Sequence, residues 1–229
     1  MVLEVFEKVY DHPLIDEILI VDDASNEEKY TELLLILSKF QQGKIEWKIR
    51  VHKNKENLGM LRNKREAISK AKNEWVILFD SDNELYLEYL EAIAINFNFS
   101  KSQLGKNFIL HPSLAEPEHD YSRWNGMIID SSNAKDFLHK AEFRCLLNNC
   151  NYVVNRDEYL RVYKYDESIK ESDTIYFNTL WLEAGNAFYV VPGMRYHHRK
   201  HSGSGWLNGC HKYNMKKANE LQEKIRLLK

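Results

Sequence analysis

Cysteine is scarce and charge of one sign does not predominate, and each shortage excludes a class of protein. The 229 residues hold three cysteines, Cys145, Cys150 and Cys210, an odd number with no C-x-x-C pair. A disulfide framework or a zinc ribbon needs paired cysteines at closer spacing, so reduced thiols in a soluble, cytoplasmic protein are expected. Lys+Arg 32 against Asp+Glu 34 leaves a net charge of −2. No overall field then recruits nucleic acid or an anionic membrane, and no nucleic-acid partner is expected. Nowhere do about 18 apolar residues run together, which leaves no integral membrane segment. The first ten residues carry Glu4, Glu7 and Lys8 and do not read as a signal peptide. Repeats and low-complexity linkers are lacking too, which predicts a single domain over residues 1–229. What the chain has in plenty is aromatic mass: 13 Tyr, 10 Phe and 5 Trp. So many order-promoting side chains exclude a disordered chain.

Apolar periodicity predicts helices over residues 2–10, 27–40, 62–72 and 85–97, with Leu33, Leu34, Leu37 and Phe40 on the inner face of the second. Between them, residues 17–21, 47–52 and 75–79 read as strands, the first and last as continuous apolar runs that fit burial on both faces. Alternation of strand and helix is the mark of an α/β fold with a mostly parallel sheet. The second half is less regular. Strands are predicted over 108–111, 126–130 and 187–191, and helices over 158–163, 174–184 and 212–228, with Gly185-Asn186 as a helix stop.

Two acidic clusters stand at the carboxyl ends of predicted strands: Asp22-Asp23 and Asp80-Ser81-Asp82. In open α/β sheets, ligands bind beyond those ends. Two carboxylates flanking one small residue repel each other unless a cation lies between them. A hard divalent ion, its shell completed by diphosphate oxygens, meets that need. The other reading is a solvated turn, or an N-cap for the helix that follows at Leu85.

Taken in order, Val21-Asp22-Asp23-Ala24-Ser25, Asn57-Leu58-Gly59 and Ala71-Lys72-Asn73-Glu74 leading to Asp80-Ser81-Asp82-Asn83 resemble the family 2 glycosyltransferases. Their pattern runs an apolar strand into V-D-D-x-S, then N-x-G, then an A-x-G-E segment into a hydrophobic strand and D-x-D-D. The resemblance implies a GT-A fold, with residues 1–98 as the nucleotide-sugar-binding half and residues 99–229 as an irregular acceptor half with a C-terminal helix. It implies a metal-dependent, inverting transfer of sugar from a UDP- or GDP-linked donor to a hydroxyl of a glycan, lipid or protein acceptor, with Mn²⁺ or Mg²⁺ as cofactor.

The same resemblance assigns roles. Asp22 and Asp23 would hold the nucleotide base. Asp82 would bind the metal and Asp80, also at the metal, would face the ribose and the metal's waters, with Ser81 between them at the donor. A family Arg falls on Lys64, with Arg62 two residues earlier, and either cation could face the nucleotide; a solvated helix face is the alternative. Inverting transfer needs a base to deprotonate the acceptor, and the family's E-D pair ahead of a helix-ending Gly maps onto Glu171-Ser172-Asp173 and Gly185, so Asp173 is the expected base. An N-cap for the helix at Thr174 is its other reading. Toward the C-terminus, His198 is the expected further metal ligand, Arg199 and Lys200 can meet phosphate, and residues 202–205 supply a Gly-Ser run for a lid. A solvated basic loop, or a zinc site built on His197, His198 and His201, are the alternatives there.

Two competing readings come from other classes. A haloacid dehalogenase-like phosphohydrolase also uses a hydrophobic-D-x-D motif, but Glu84 stands where that class has Thr or Val. A degenerate transferase could bind nucleotide sugar without turnover, and the start of the chain suggests it. Family members begin with a strand ending P-x-Y-N, whereas the 21 residues before Asp22 read as the helix that follows that strand. An empty slot would leave backbone groups of two neighbouring strands unpaired. The expectation is therefore an open gap beside residues 17–21 or an extra stretch there, completed by an upstream segment. Direct pairing of 17–21 with 75–79 would break the family topology.

Overall fold

Apolar spacing translates into elements nearly one for one through the first half of the chain. The computed structural model describes residues 2–44, 46–170, 172–199 and 211–228. Its first half runs α1 (Val2–Phe6), β1 (Ile18–Asp22), α2 (Glu27–Gln41), β2 (Ile49–Lys53), α3 (Met60–Lys70), β3 (Trp75–Leu78), β4 (Glu84–Leu85) and α4 (Leu87–Leu104). The second half runs β5 (Phe108–Glu116), β6 (His119–Asp120), β7 (Ile128–Ile129), α5 (Ala141–Leu147), β8 (Tyr152–Asn155), α6 (Arg156–Val162), α7 (Asp173–Glu183), β9 (Ala187–His197) and α8 (His211–Arg226). No described helix is long and apolar enough to cross a membrane.

Local chemistry sets the helix ends. Asn26 caps α2 by accepting from Lys29 N at 2.9 Å, and Glu27 and Glu28 complement the positive end of its dipole. Along α2, Leu37 is buried and Leu33 and Phe40 pack on the core, but Leu34 is 42% exposed. The inner stripe is thus narrower than the four-residue face expected. At the far end of α7, Gly185 takes φ +78°, the left-handed position that ends helices and favours glycine.

The sheet is mixed, which corrects the expectation of a mostly parallel one. β1 pairs β2 in parallel as a two-stranded unit. The larger sheet has the order β3-β8-β5-β9-β4, with β6 on β5 and β7 on β9. Within it only β5 and β9 run parallel; the other pairings are antiparallel. The cause is β8. Its short apolar core, Tyr152-Val153-Val154 between asparagines, enters between β3 and β5 in the reverse direction. Strands on both sides bury it completely, and it carries the core aromatic Tyr152. Trp75 of β3 stacks on Phe108 of β5 at 4.7 Å between ring centroids, and Trp181 of α7 is fully buried with its indole N–H on Ala187 O at 3.0 Å. Large aromatics bury the most area per residue, and they bind α4 and α7 to the sheet.

β1 and β3 do not pair, and no described strand lies between them. A cavity of about 500 Å³ separates them, lined by Ile18, Ile20, Trp75 and Ile77 from the two strands and by Phe6 and Val9 near α1. Of the outcomes expected there, the open gap is the one found. All five residues of β1 are only half-buried, as an edge next to an open cleft requires. At one end this cleft reaches Lys64, Asp80 and Ser81.

Candidate active site

Helical phase aims Lys64 inward. Leu61 and Ile68 of α3 are buried, and Lys64 falls on their stripe, three residues after the first and four before the second. Its ammonium donates to Asp173 Oδ2 at 2.8 Å and to Thr174 Oγ1 at 3.2 Å. Asp173 is the first residue of α7 and lies buried, where the helix dipole favours a carboxylate. Ser172, not Asp173, takes the N-cap position, so the capping alternative for Asp173 gives way to an ion pair. Burial opposes the charge on Lys64, yet the carboxylates of Asp173 and Asp80 hold it well above its ordinary pKa.

Asp80 stands two residues past β3, in a polar frame supplied by the residues just before β8. Its backbone N–H donates to Asn151 Oδ1 at 2.8 Å, and Asn151 Nδ2 returns to Asp80 Oδ2 at 3.3 Å. The Cys150 thiol reaches both carboxylate oxygens, at 3.2 and 3.1 Å. Burial pushes that thiol far above its usual range and the Asp80 charge adds to it, so Cys150 stays a protonated donor. Asn151 Nδ2 also meets Tyr196 Oη at 3.2 Å. Ser81 is exposed and Asp82 half-buried, and Asn83 N closes the turn on Asp80 O at 3.3 Å. The donors on Asp80 are neutral, and two carboxylates with oxygen ligands only match a hard divalent ion. The D-S-D residues therefore fit the metal that the family resemblance implies.

Asp22 and Asp23 serve local structure. Asp22 Oδ2 accepts from Ser25 N at 2.9 Å. Asp23 accepts from Asn54 Nδ2 at 2.9 Å, Leu58 N at 2.8 Å and Gly59 N at 2.9 Å. Asp23 thus clasps the Asn57-Leu58-Gly59 turn, where Gly59 takes φ +74°, a conformation open to glycine. The V-D-D and N-L-G motifs are therefore one hydrogen-bonded unit at the carboxyl end of β1.

Other expected residues lie apart. Arg62 turns off the Lys64 stripe toward Glu56, 3.8 Å away, and the Tyr165 ring, at 5.6 Å. Arg199 pairs with Glu4 at 2.6 Å and Glu84 at 3.8 Å, and its backbone N–H donates to Asn83 Oδ1 at 3.1 Å. It flanks the D-S-D-N turn with its charge already matched. His198 gathers with Glu118 and His119, their ligand atoms all within 4.8 Å of one another. Glu171, Lys200, His201, the 202–205 run and Cys210 lie outside the described residues. Cys150 and Asn151 were missed in the sequence. Their signal was faint, two polar-flanking residues before a three-residue apolar run.

Residues 1–102 match the family model Glycosyl transferase family 2. No curated protein matches in sequence. Among solved structures, S. aureus TarS 1-349 in complex with UDP is similar with a TM-score of 0.65 at 15% identity, covering 99% of this chain and 62% of that one. GalNAc-T7 with UDP, GalNAc and Mn²⁺ gives a TM-score of 0.57 at 17% identity, covering 82% of this chain and 39% of that one. The chain thus spans less than two thirds of either. These likenesses show an α/β, GT-A-like fold.

Proposed function

We propose that this chain moves a sugar from a nucleotide-sugar donor to an acceptor hydroxyl, inverting the anomeric centre with the help of Mn²⁺ or Mg²⁺, a reading supported by the match of residues 1–102 to the Glycosyl transferase family 2 model. The carrying observation is the Lys64–Asp173 ion pair at 2.8 Å, with Lys64 lining the same cleft as Asp80 at the carboxyl end of β3. Asp80 and Asp82 would hold the ion. That ion, when bound, offsets the charge of the leaving diphosphate. Lys64 would be the cation for the donor diphosphate, and the loop that Asp22 and Asp23 shape would face the base. Arg199 stands by the turn as a second cation for phosphate. His198, grouped with Glu118 and His119, is not used as a ligand in this scheme. Lys64 occupies Asp173 Oδ2, and Oδ1 takes the acceptor proton. As the acceptor oxygen bonds to the anomeric carbon, the bond from that carbon to the diphosphate oxygen breaks, and the nucleoside diphosphate leaves with the electron pair. The two similar solved structures carry UDP, which makes a UDP-linked donor the first to try; a GDP-linked donor is the next. The acceptor is a hydroxyl of a glycan, lipid or protein.

Calorimetry of a nucleotide sugar with and without Mn²⁺ tests this. Asp82→Ala should abolish the Mn²⁺-dependent binding and Asp80→Ala should weaken it; unchanged binding in both would remove the metal assignment. The gap between β1 and β3 favours one second reading, a donor-binding protein without turnover. Donor binding with no transfer to any acceptor would select it.

A further inference from the structure

A cluster outside the D-S-D site has metal-ligand chemistry that the sequence hides, because its members come from distant segments. Glu118 sits on the turn between β5 and β6, where its N bonds Ala115 O at 3.2 Å, and His119 opens β6 opposite Ala115. His198 follows the end of β9, its backbone N–H on Glu116 O at 2.7 Å. Parallel pairing of β5 with β9 sets Glu116 opposite His197, and this register delivers His198 to the turn. The imidazoles of His119 and His198 lie 5.5 Å apart between ring centroids, and His119 stacks on Tyr121 with 9° between planes. Carboxylate and imidazole ligand atoms of the three residues are all within 4.8 Å of one another. Among the described residues, His198 Nδ1 is buried with no hydrogen-bond partner.

We propose that Glu118, His119 and His198 form a second metal site, distinct from the D-S-D pair, for a divalent transition ion that takes imidazole nitrogen, with zinc as the reference ion. Two imidazoles and one carboxylate are a zinc ligand set with a fourth position left for water. Imidazole donors also select against magnesium and calcium. Zinc binds such donors at about 2.0–2.2 Å, so the three must close in, and rotation of the exposed Glu118 side chain supplies the movement. The ion would fasten the end of β9 to the β5–β6 turn. The next residue, Arg199, bonds Asn83 of the D-S-D-N turn, so the clasp would steady one wall of the donor site without touching the donor.

The test uses the full chain stripped with EDTA, then titrated with Co²⁺ and Zn²⁺ under visible absorption and calorimetry. The expected result is one Co²⁺ with the bands of a nitrogen-ligated ion, displaced by Zn²⁺. His119→Ala and His198→Ala should each weaken binding by more than the roughly 10–100-fold that loss of an outer-shell partner costs. Glu118→Gln, at an exposed position, should weaken it while leaving the fold intact, and Asp82→Ala should leave it unchanged. No binding by the wild type would overturn the proposal, as would undiminished binding in both histidine variants or loss of binding in Asp82→Ala. Because Asp82 reports on the donor metal alone, failure here and failure of the transferase proposal are told apart.

Discussion

Lys64 Nζ lies 2.8 Å from Asp173 Oδ2, joining α3 to the first residue of α7 across 109 positions of sequence, with side chains 19% and 6% exposed. The pair joins the first-half motifs to the second half of the chain, and it brings together the two residues expected separately at the donor and as the base. Such a pair has a structural cost as well as a chemical use, since each charge left without the other would be stranded.

Lys64→Met should destabilise the protein by about 3–5 kcal/mol, the usual result of breaking a buried pair on one side. Replacing both, as Lys64→Met with Asp173→Leu, should restore most of that loss, because two apolar groups need no partner. Urea unfolding of the three variants measures this. A loss under about 1 kcal/mol for Lys64→Met would mean that the pair behaves as a surface contact.

Asp173→Asn keeps the size of the side chain and removes its proton affinity. Donor binding should stay nearly unchanged, while transfer should fall at least about 10²-fold, the usual worth of a general base. Single-turnover transfer and equilibrium binding on the same sample separate the two. Equal loss of both would make Asp173 a structural partner of Lys64 only.

His111 predicts an acid limb. It is fully buried against the rings of Tyr152 and Phe188, at 5.3 and 4.8 Å, with neither nitrogen bonded among the described residues. Burial pushes its pKa down to about 3, so the folded state holds it neutral while the unfolded chain takes up a proton near pH 6.5. The stability is fully present above that pH and declines as pH falls toward 3, by up to about 1.4 kcal/mol per pH unit. In His111→Phe, urea midpoints between pH 4 and 7 should lose this part of the slope. An identical slope in the variant would contradict the assignment.

The strands ending at Asp22 and near Asp80 and the helices between them were legible because each repeats its apolar residues at one period over several turns or along a whole strand. Lys64 could have been separated from Arg62 by the same rule, since Leu61 and Ile68 mark the inner stripe. β8 escaped because three apolar residues between asparagines are too few to carry a period, and with it went Cys150, Asn151 and a reversed strand inside the sheet. The Glu118–His119–His198 group was illegible for a different reason: only the pairing of β5 with β9 brings its parts together. The resemblance to the family correctly drew attention to the first half, and residues 1–102 are where the family model matches. Motif spacing could not say that Asp23 spends its oxygens on the Asn57–Gly59 turn.

Donor binding is the claim on which the rest depends, and a thermal-shift panel of UDP- and GDP-linked sugars, each with and without Mn²⁺, tests it most directly. A ligand that binds only the native state raises the melting temperature in step with its affinity and concentration. At least one nucleotide sugar should raise it in the presence of Mn²⁺, more than Mn²⁺ alone does, and Asp82→Ala should lose that rise. No shift with any nucleotide sugar, at concentrations that saturate family 2 transferases, would contradict the donor site at the carboxyl end of β3.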